Sequence, residues 1–201
     1  RFMAVKTGLI LAGGGARAAY QVGVLRGVAA LLPPDIQQPF PIITGTSAGA
    51  INALGLAGRS GSFRSRTRAL AAVWASLDSD AVYRTDARGV IRNAIRMLWA
   101  LLRSTHASRK PLALLDNSPL RQLLNDIVEF ERVDKALAKG ELEGLGITAM
   151  NYTNGHSTTF YQAQDHIAPW ARAHRRSVPC KLNVDHLLAS SALPTLFPAV
   201  Q

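Results

Sequence analysis

The N-terminal part of the chain alternates short apolar runs with longer stretches of helical spacing. Thr7-Gly8-Leu9-Ile10-Leu11-Ala12 has an unbroken apolar interior, the pattern of a buried parallel strand. It runs into Gly13-Gly14-Gly15-Ala16-Arg17-Ala18, after which Ala19–Leu32 reads as a helix stopped by Pro33-Pro34. A second, β-branched run over Phe40–Thr44 meets Gly45-Thr46-Ser47-Ala48-Gly49, and an Ala/Ile/Leu-rich helical pattern follows through Leu56. Strand, glycine loop, helix, strand, sharp turn, helix: this order predicts an α/β fold with a parallel sheet and a right-handed crossover.

Downstream the periodicity is mostly helical. Gly58–Ser65, with Arg59, Arg64 and interspersed serines, reads as a mobile loop. Arg64–Leu77 spaces Leu70, Val73, Trp74 and Leu77 as one core-facing helix. Ala87–Arg103 sets Arg88, Arg92 and Arg96 four residues apart among Val90, Ile91, Ile95, Leu98 and Trp99. That pattern fits a packed helix with a solvated arginine stripe, or a helix in a membrane interface with Arg88, Arg92, Arg96 and Trp99 as its candidate contacts. Ser118 and Pro119 open a helix continuing to Val128, and Arg132–Lys139 is a short charged helix ending at Gly140. Leu145–Tyr152 and Ser157–Gln162 read as strands joined by Thr153-Asn154-Gly155, a hairpin, and Val184–Ser191 as a last helix.

Composition narrows the class. With 201 residues, 48 % of them hydrophobic, the chain suffices for a single domain over 1–201 with one core. The lone Cys180 allows no internal disulfide and suits a reducing compartment, here expected to be the cytoplasm. With no paired histidine identifiable, Cys180 reads as a structural thiol. No apolar run reaches the ~18 residues of a transmembrane helix, so any membrane contact is expected to be peripheral. The net charge of +10 is concentrated: residues 59–110, a basic helical insertion or cover region, hold eleven Lys and Arg against three Asp. This suits an anionic membrane surface, whereas arginines strung along apolar helices without an aromatic platform argue against nucleic acid.

Ser47 occupies the tip of the predicted strand–turn–helix, with Gly45 and Gly49 two residues away on either side. Small residues there let strand and helix backbones crowd each other, and a serine on such an elbow is exposed and strained, as a nucleophile requires. Capping the following helix is the plainer use of the same serine. The glycine loop also has two uses. Gly13-x-Gly15-x-x-Ala18 fits a dinucleotide fingerprint, yet the second strand ends without the acid that a ribose hydroxyl needs. Consecutive free amides at a helix N-terminus suit an oxyanion. Both turns leave the carboxyl ends of adjacent strands, so amides and hydroxyl are expected on one edge of the sheet. The five histidines are scattered, although Ser47, Asp165 and His186 follow the chain order of a hydrolase triad. Spacings such as H-E-x-x-H or C-x-x-C are absent, and no metal site is expected.

Three motifs in order carry a resemblance: Gly13-Gly14-Gly15-Ala16-Arg17, Gly45-Thr46-Ser47-Ala48-Gly49 and Ala189-Ser190-Ser191-Ala192-Leu193-Pro194. Together they resemble the patatin-like phospholipases, and the likeness runs from Gly8 to Val200 through Leu114–Leu120. The resemblance implies a three-layer α/β/α sandwich with a mainly parallel central sheet. It also implies a serine acyl hydrolase of lipid esters (phospholipase A, lysophospholipase or esterase) with a Ser–Asp dyad and no histidine. On that likeness Ser47 is the nucleophile, the loop Gly13, Gly14, Gly15, Ala16 and Arg17 forms the oxyanion hole, and Gly45 and Gly49 support the elbow. Phospholipid or another acyl ester is the implied partner, and neither calcium nor an organic cofactor is called for. Two departures stand out. Ala18 takes the place of a glycine usual in the family. The family's aspartate lies in Asp-Gly-Gly or Asp-Gly-Ala downstream of Ala-Ser-x-Ala-x-Pro; no Asp-Gly occurs here, so the base is expected beyond residue 201 and the chain as given is expected to be inactive. Alternatives are a non-catalytic module for anionic lipid and a dinucleotide-binding α/β domain.

Overall fold

The computed structural model describes residues 6–76, 118–192 and 200. Six strands form one sheet in the order β1-β2-β3-β4-β6-β5. They are β1 (Gly8–Leu11), β2 (Ile42–Thr46), β3 (Gly144–Met150), β4 (Ser157–Ala163), β5 (Ala171–Arg172) and β6 (Arg175–Pro179). The helices are α1 (Ala18–Leu31), α2 (Ala48–Ala57), α3 (Phe63–Ser76), α4 (Ser118–Ile127), α5 (Phe130–Ala138) and α6 (Val184–Ser191). β1–β2, β2–β3 and β4–β6 pair in parallel, and β3–β4 and β5–β6 are antiparallel. The outcome is an α/β fold with a mainly parallel sheet flanked by helices, as the order of apolar runs predicts.

One face of the sheet supplies Leu11, Ile43, Leu145 and Ile147 to a core shared with Val22 and Leu25 of α1, Leu54 and Leu56 of α2, and Leu187 and Leu188 of α6. α2 is apolar almost all round and is buried along nearly its whole length, touching β1, β2 and β3. That central place fixes the residue before it, Ser47, against the sheet. β1 departs from the sequence reading of a buried strand: among the described residues it is the sheet's edge, and Ile10, on the face turned away from the core, is 81 % exposed.

The predicted loop Gly58–Ser65 is shorter than expected, because α3 already begins at Phe63, which is fully buried. Arg64 and Arg66 are structural. Arg64 donates to the carbonyls of Ala29 (3.2 Å) and Leu32 (3.5 Å), closing the C-terminal end of α1. Arg66 is buried, donates to Gly61 O (2.9 Å) and Leu56 O (3.3 Å), and lies 3.7 Å from Glu141. Burial pushes its pKa down, while Glu141 opposes that shift and holds the charge. The interface-type helix read over 87–103, with Arg88, Arg92, Arg96 and Trp99, lies outside the described residues.

Candidate active site

The elbow follows from local sterics. Ser47 has φ 54° and ψ −127°, a left-handed conformation that non-glycine residues rarely adopt. It reverses the chain between β2 and α2 within one residue. A Cβ on Gly45 would lie 2.6 Å from Ala50 Cα, and one on Gly49 would lie 2.6 Å from Ala12 O. Both positions therefore exclude any larger residue. Ser47 caps α2 with its carbonyl, which accepts from Ala50 N (2.8 Å) and Ile51 N (3.3 Å), and its side chain makes no cap bond. The hydroxyl remains available to something else.

The glycine loop lies beside it. Leu11 pairs with Gly45, so the chain leaving β1 passes directly over the elbow. A Cβ placed on Gly13 would stand 3.3 Å from Ser47 Cβ, within van der Waals contact of the serine side chain. Gly15 takes φ 55° and opens a single 3-10 turn over Gly15–Arg17, closed by Arg17 N–H on Gly14 O (3.1 Å). The first amides of such a turn have no partner within it, and Gly14, Gly15 and Ala16 make no amide hydrogen bond among the described residues. Gly13 through Arg17 are all exposed, and Ser47 is half-buried. Two helix N-termini, those of α1 and α2, converge on this spot and make it electropositive.

Long-range hydrogen bonds hold both turns. Ser190 of α6 accepts from Ser47 N–H (2.7 Å) and donates to Thr148 O (2.6 Å), tying the elbow to β3. The Ser47 amide is thereby used up, which leaves the glycine-loop amides and the first amides of α2 as free donors at the elbow. Asn52, fully buried one turn into α2, donates to Ala18 O (3.1 Å) and Gln21 Oε1 (3.0 Å) and accepts from Trp74 Nε1 (2.7 Å). Gln21 in turn donates to Ala12 O (2.7 Å). The glycine loop is thus pinned at its start, through Ala12, and at its end, through Ala18. Sequence reasoning passed over Asn52 and Gln21 and read Trp74 only as a core-facing helix residue; the available signal is one amide in the otherwise apolar run Ala48–Ala57.

A family model for the patatin-like phospholipases matches residues 9–201. The chain belongs to that family. No curated protein matches it. Among solved structures it is similar to a chain of the heterodimeric ExoU–SpcU complex from the type III secretion system of Pseudomonas aeruginosa, with 17 % identity and a TM-score of 0.43. That alignment covers 96 % of this chain and 37 % of the other, so the present chain spans about a third of its length.

Within this patatin-like domain the order-based triad is not assembled. Asp165 follows β4, whose last residue Ala163 pairs with Gly144 at the start of β3, whereas Ser47 lies beyond the end of β2 at the opposite edge. His186 accepts from Asn183 N–H in a capping box (3.1 Å) and lies 3.5 Å from Cys180 Sγ. The histidine partner not identifiable from the sequence therefore exists. Burial pushes the Cys180 thiol up and His186 down, so both stay neutral and no thiolate nucleophile forms. Among the described residues no carboxylate hydrogen-bonds Ser47, no group of three or more His, Cys, Asp and Glu could hold a metal, and no helix is long and apolar enough to cross a membrane.

Ser190→Ala is expected to leave Ser47 N–H and Thr148 O unpaired, at a cost of about 2 kcal/mol. It should also loosen the elbow, so kcat of the active protein should fall about tenfold with little change in KM. Steady-state kinetics on one ester substrate measure that split.

Proposed function

We propose that this protein is a serine acyl hydrolase of lipid esters, with Ser47 as nucleophile and the amides of Gly14, Gly15 and Ala16 as oxyanion donors. The observation that carries the reading is the contact between the elbow and the glycine loop: the Gly13 Cβ position lies 3.3 Å from Ser47 Cβ, at the exposed edge of the sheet. Ser47 Oγ attacks the ester carbonyl carbon as its proton passes to an aspartate. The tetrahedral oxyanion is held by amides already oriented for it, without reorganisation at the moment of reaction. Collapse breaks the carbon–oxygen bond to the alcohol, which leaves with the proton, and Ser47 remains acylated. Water, deprotonated by the same aspartate, then releases the fatty acid. The aspartate of this Ser–Asp dyad lies beyond residue 201 in this reading, and the chain without it hydrolyses little or nothing.

A fluorophosphonate probe tests the reading by forming a stable phosphonyl ester on an activated serine. The full-length protein should label at Ser47 and Ser47→Ala should not, as read by intact-mass and peptide mass spectrometry. Equal labelling of Ser47→Ala, or adducts on Ser190 or Ser191 instead, would remove Ser47 from the chemistry.

A further inference from the structure

We infer that the β5–β6 hairpin is an electrostatic docking surface that sets the catalytic edge of the sheet against an anionic lipid bilayer. Register places it. β4 runs antiparallel to β3, and β6 runs parallel to β4, so Met150, Ser157 and Arg175 lie level along one end of the sheet. That is the end at which β2 delivers Ser47 and β1 delivers the glycine loop. β6 is three strand positions from β2, about 14 Å at the usual spacing. The tight turn Arg172-Ala173-His174-Arg175 therefore projects from the same edge as the proposed nucleophile.

The hairpin is built against its own stability. Arg172 and Arg175 stand directly opposite each other across the ladder, a like-charge pair that is ordinarily destabilising. His174 has φ 58°, a conformation that glycine or asparagine would adopt at lower cost. Arg172, Arg175 and Arg176 are exposed, and none meets a carboxylate among the described residues; Arg176 instead donates to Thr158 Oγ1 (3.2 Å). Among the described residues the carboxylates near the sheet sit at its far end: Glu141 and Glu143 precede β3, Asp165 follows β4, and Asp185 opens α6. Unpaired positive charge thus gathers at the catalytic end, together with Arg17 on the glycine loop. Trp170, 43 % exposed, continues the β5 ladder on the face of Arg172, and Met150 (59 %) and Tyr152 (45 %) are exposed where β3 meets β4. The Tyr152 hydroxyl donates to Ala192 O, which leaves Trp170 as the ring next to the arginines. Arginine beside exposed tryptophan suits a headgroup region, where charge meets phosphate and the ring reaches the acyl boundary. The choice of a lipid surface over another polyanion rests on the acyl-ester reading of Ser47.

Vesicle co-sedimentation of the full-length protein tests the placement, with phosphatidylcholine vesicles compared with mixed phosphatidylcholine–phosphatidylglycerol vesicles. The protein should prefer the anionic vesicles and release from them as salt is raised. Arg172→Gln/Arg175→Gln should weaken that binding about 20-fold, and Arg172→Lys/Arg175→Lys should restore it. The glutamine variant should melt no lower than the parent, since it removes a repulsion. Undiminished binding by the glutamine variant overturns the inference. So does loss of binding in Arg88→Gln/Arg92→Gln/Arg96→Gln alone, or tighter binding of single-stranded DNA than of the anionic vesicle. Sedimentation needs no hydrolysis: a protein that docks but takes no fluorophosphonate sinks the esterase reading alone, and one that labels but does not dock sinks this one alone.

Discussion

Ser47→Gly should abolish ester hydrolysis in the full-length protein and raise its melting temperature at the same time. The hydroxyl is the proposed attacking group, and loss of a serine nucleophile costs about 10⁶-fold in kcat where amides and binding remain in place. The stability gain has a separate origin. Ser47 is held at φ 54°, where a Cβ clashes with its own backbone, and glycine removes that clash. Part of the relief is offset by the greater freedom of glycine in the unfolded chain, leaving about 1 kcal/mol. For a chain of this size that is roughly 3 °C in Tm. Ser47→Ala should be equally inactive but should gain nothing, because alanine keeps the Cβ. A glycine variant that melts lower than the serine protein would mean that the elbow is not strained. One that keeps more than a small fraction of the activity would place the nucleophile elsewhere.

Asn52→Ala should cost about 3 kcal/mol in unfolding free energy and lower kcat well beyond what that loss explains. The amide joins three elements: it donates to Ala18 O and Gln21 Oε1 on the α1 side and accepts from Trp74 of α3. Truncation strands the half-buried Trp74 N–H and frees Gln21, the residue that holds Ala12 O at the start of the glycine loop. Displacement of the loop amides by even 1 Å removes donors from the site of the oxyanion, an effect of about 100-fold. Trp74→Phe separates the two consequences. It breaks one bond of the network at about 1 kcal/mol while leaving Asn52 on Ala18, so its kcat should stay near that of the parent. Denaturant unfolding and kinetics measured well below Tm distinguish a positioning effect, which spares KM, from simple unfolding, which lowers the active fraction.

Much of the fold was legible because its signals are local. The apolar runs before Gly13 and Gly45 read as strands, and Asn154-Gly155 between two alternating runs reads as a hairpin; the structure has β1, β2 and the β3–β4 pair there. Errors fell where a distant partner overrides local preference. Phe63 and Arg64 fall in the stretch read as a loop, but burial of Phe63 and the carbonyls of Ala29 and Leu32 that accept from Arg64 draw them into α3 and its packing. Ala171–Pro179 has neither apolar alternation nor β-branched enrichment, so no strand was read there. β5 and β6 exist because β4 offers an unpaired edge, and the pairing satisfies backbone groups whatever the side chains are.

The chain by itself determined the two turns. Steric rules acting within a few residues make Gly45-Thr46-Ser47-Ala48-Gly49 a reversal and Gly13-Gly14-Gly15 an open run of amides, and the order of apolar segments makes the sheet parallel around them. Only the tertiary structure decided that Gly13 lies alongside Ser47, that Ser190 reaches back across 143 residues to the elbow amide, and that the arginines of β5 and β6 share its edge. Those relations depend on strand register and on contacts between residues far apart in sequence, where free energy is gained only after the whole sheet has closed.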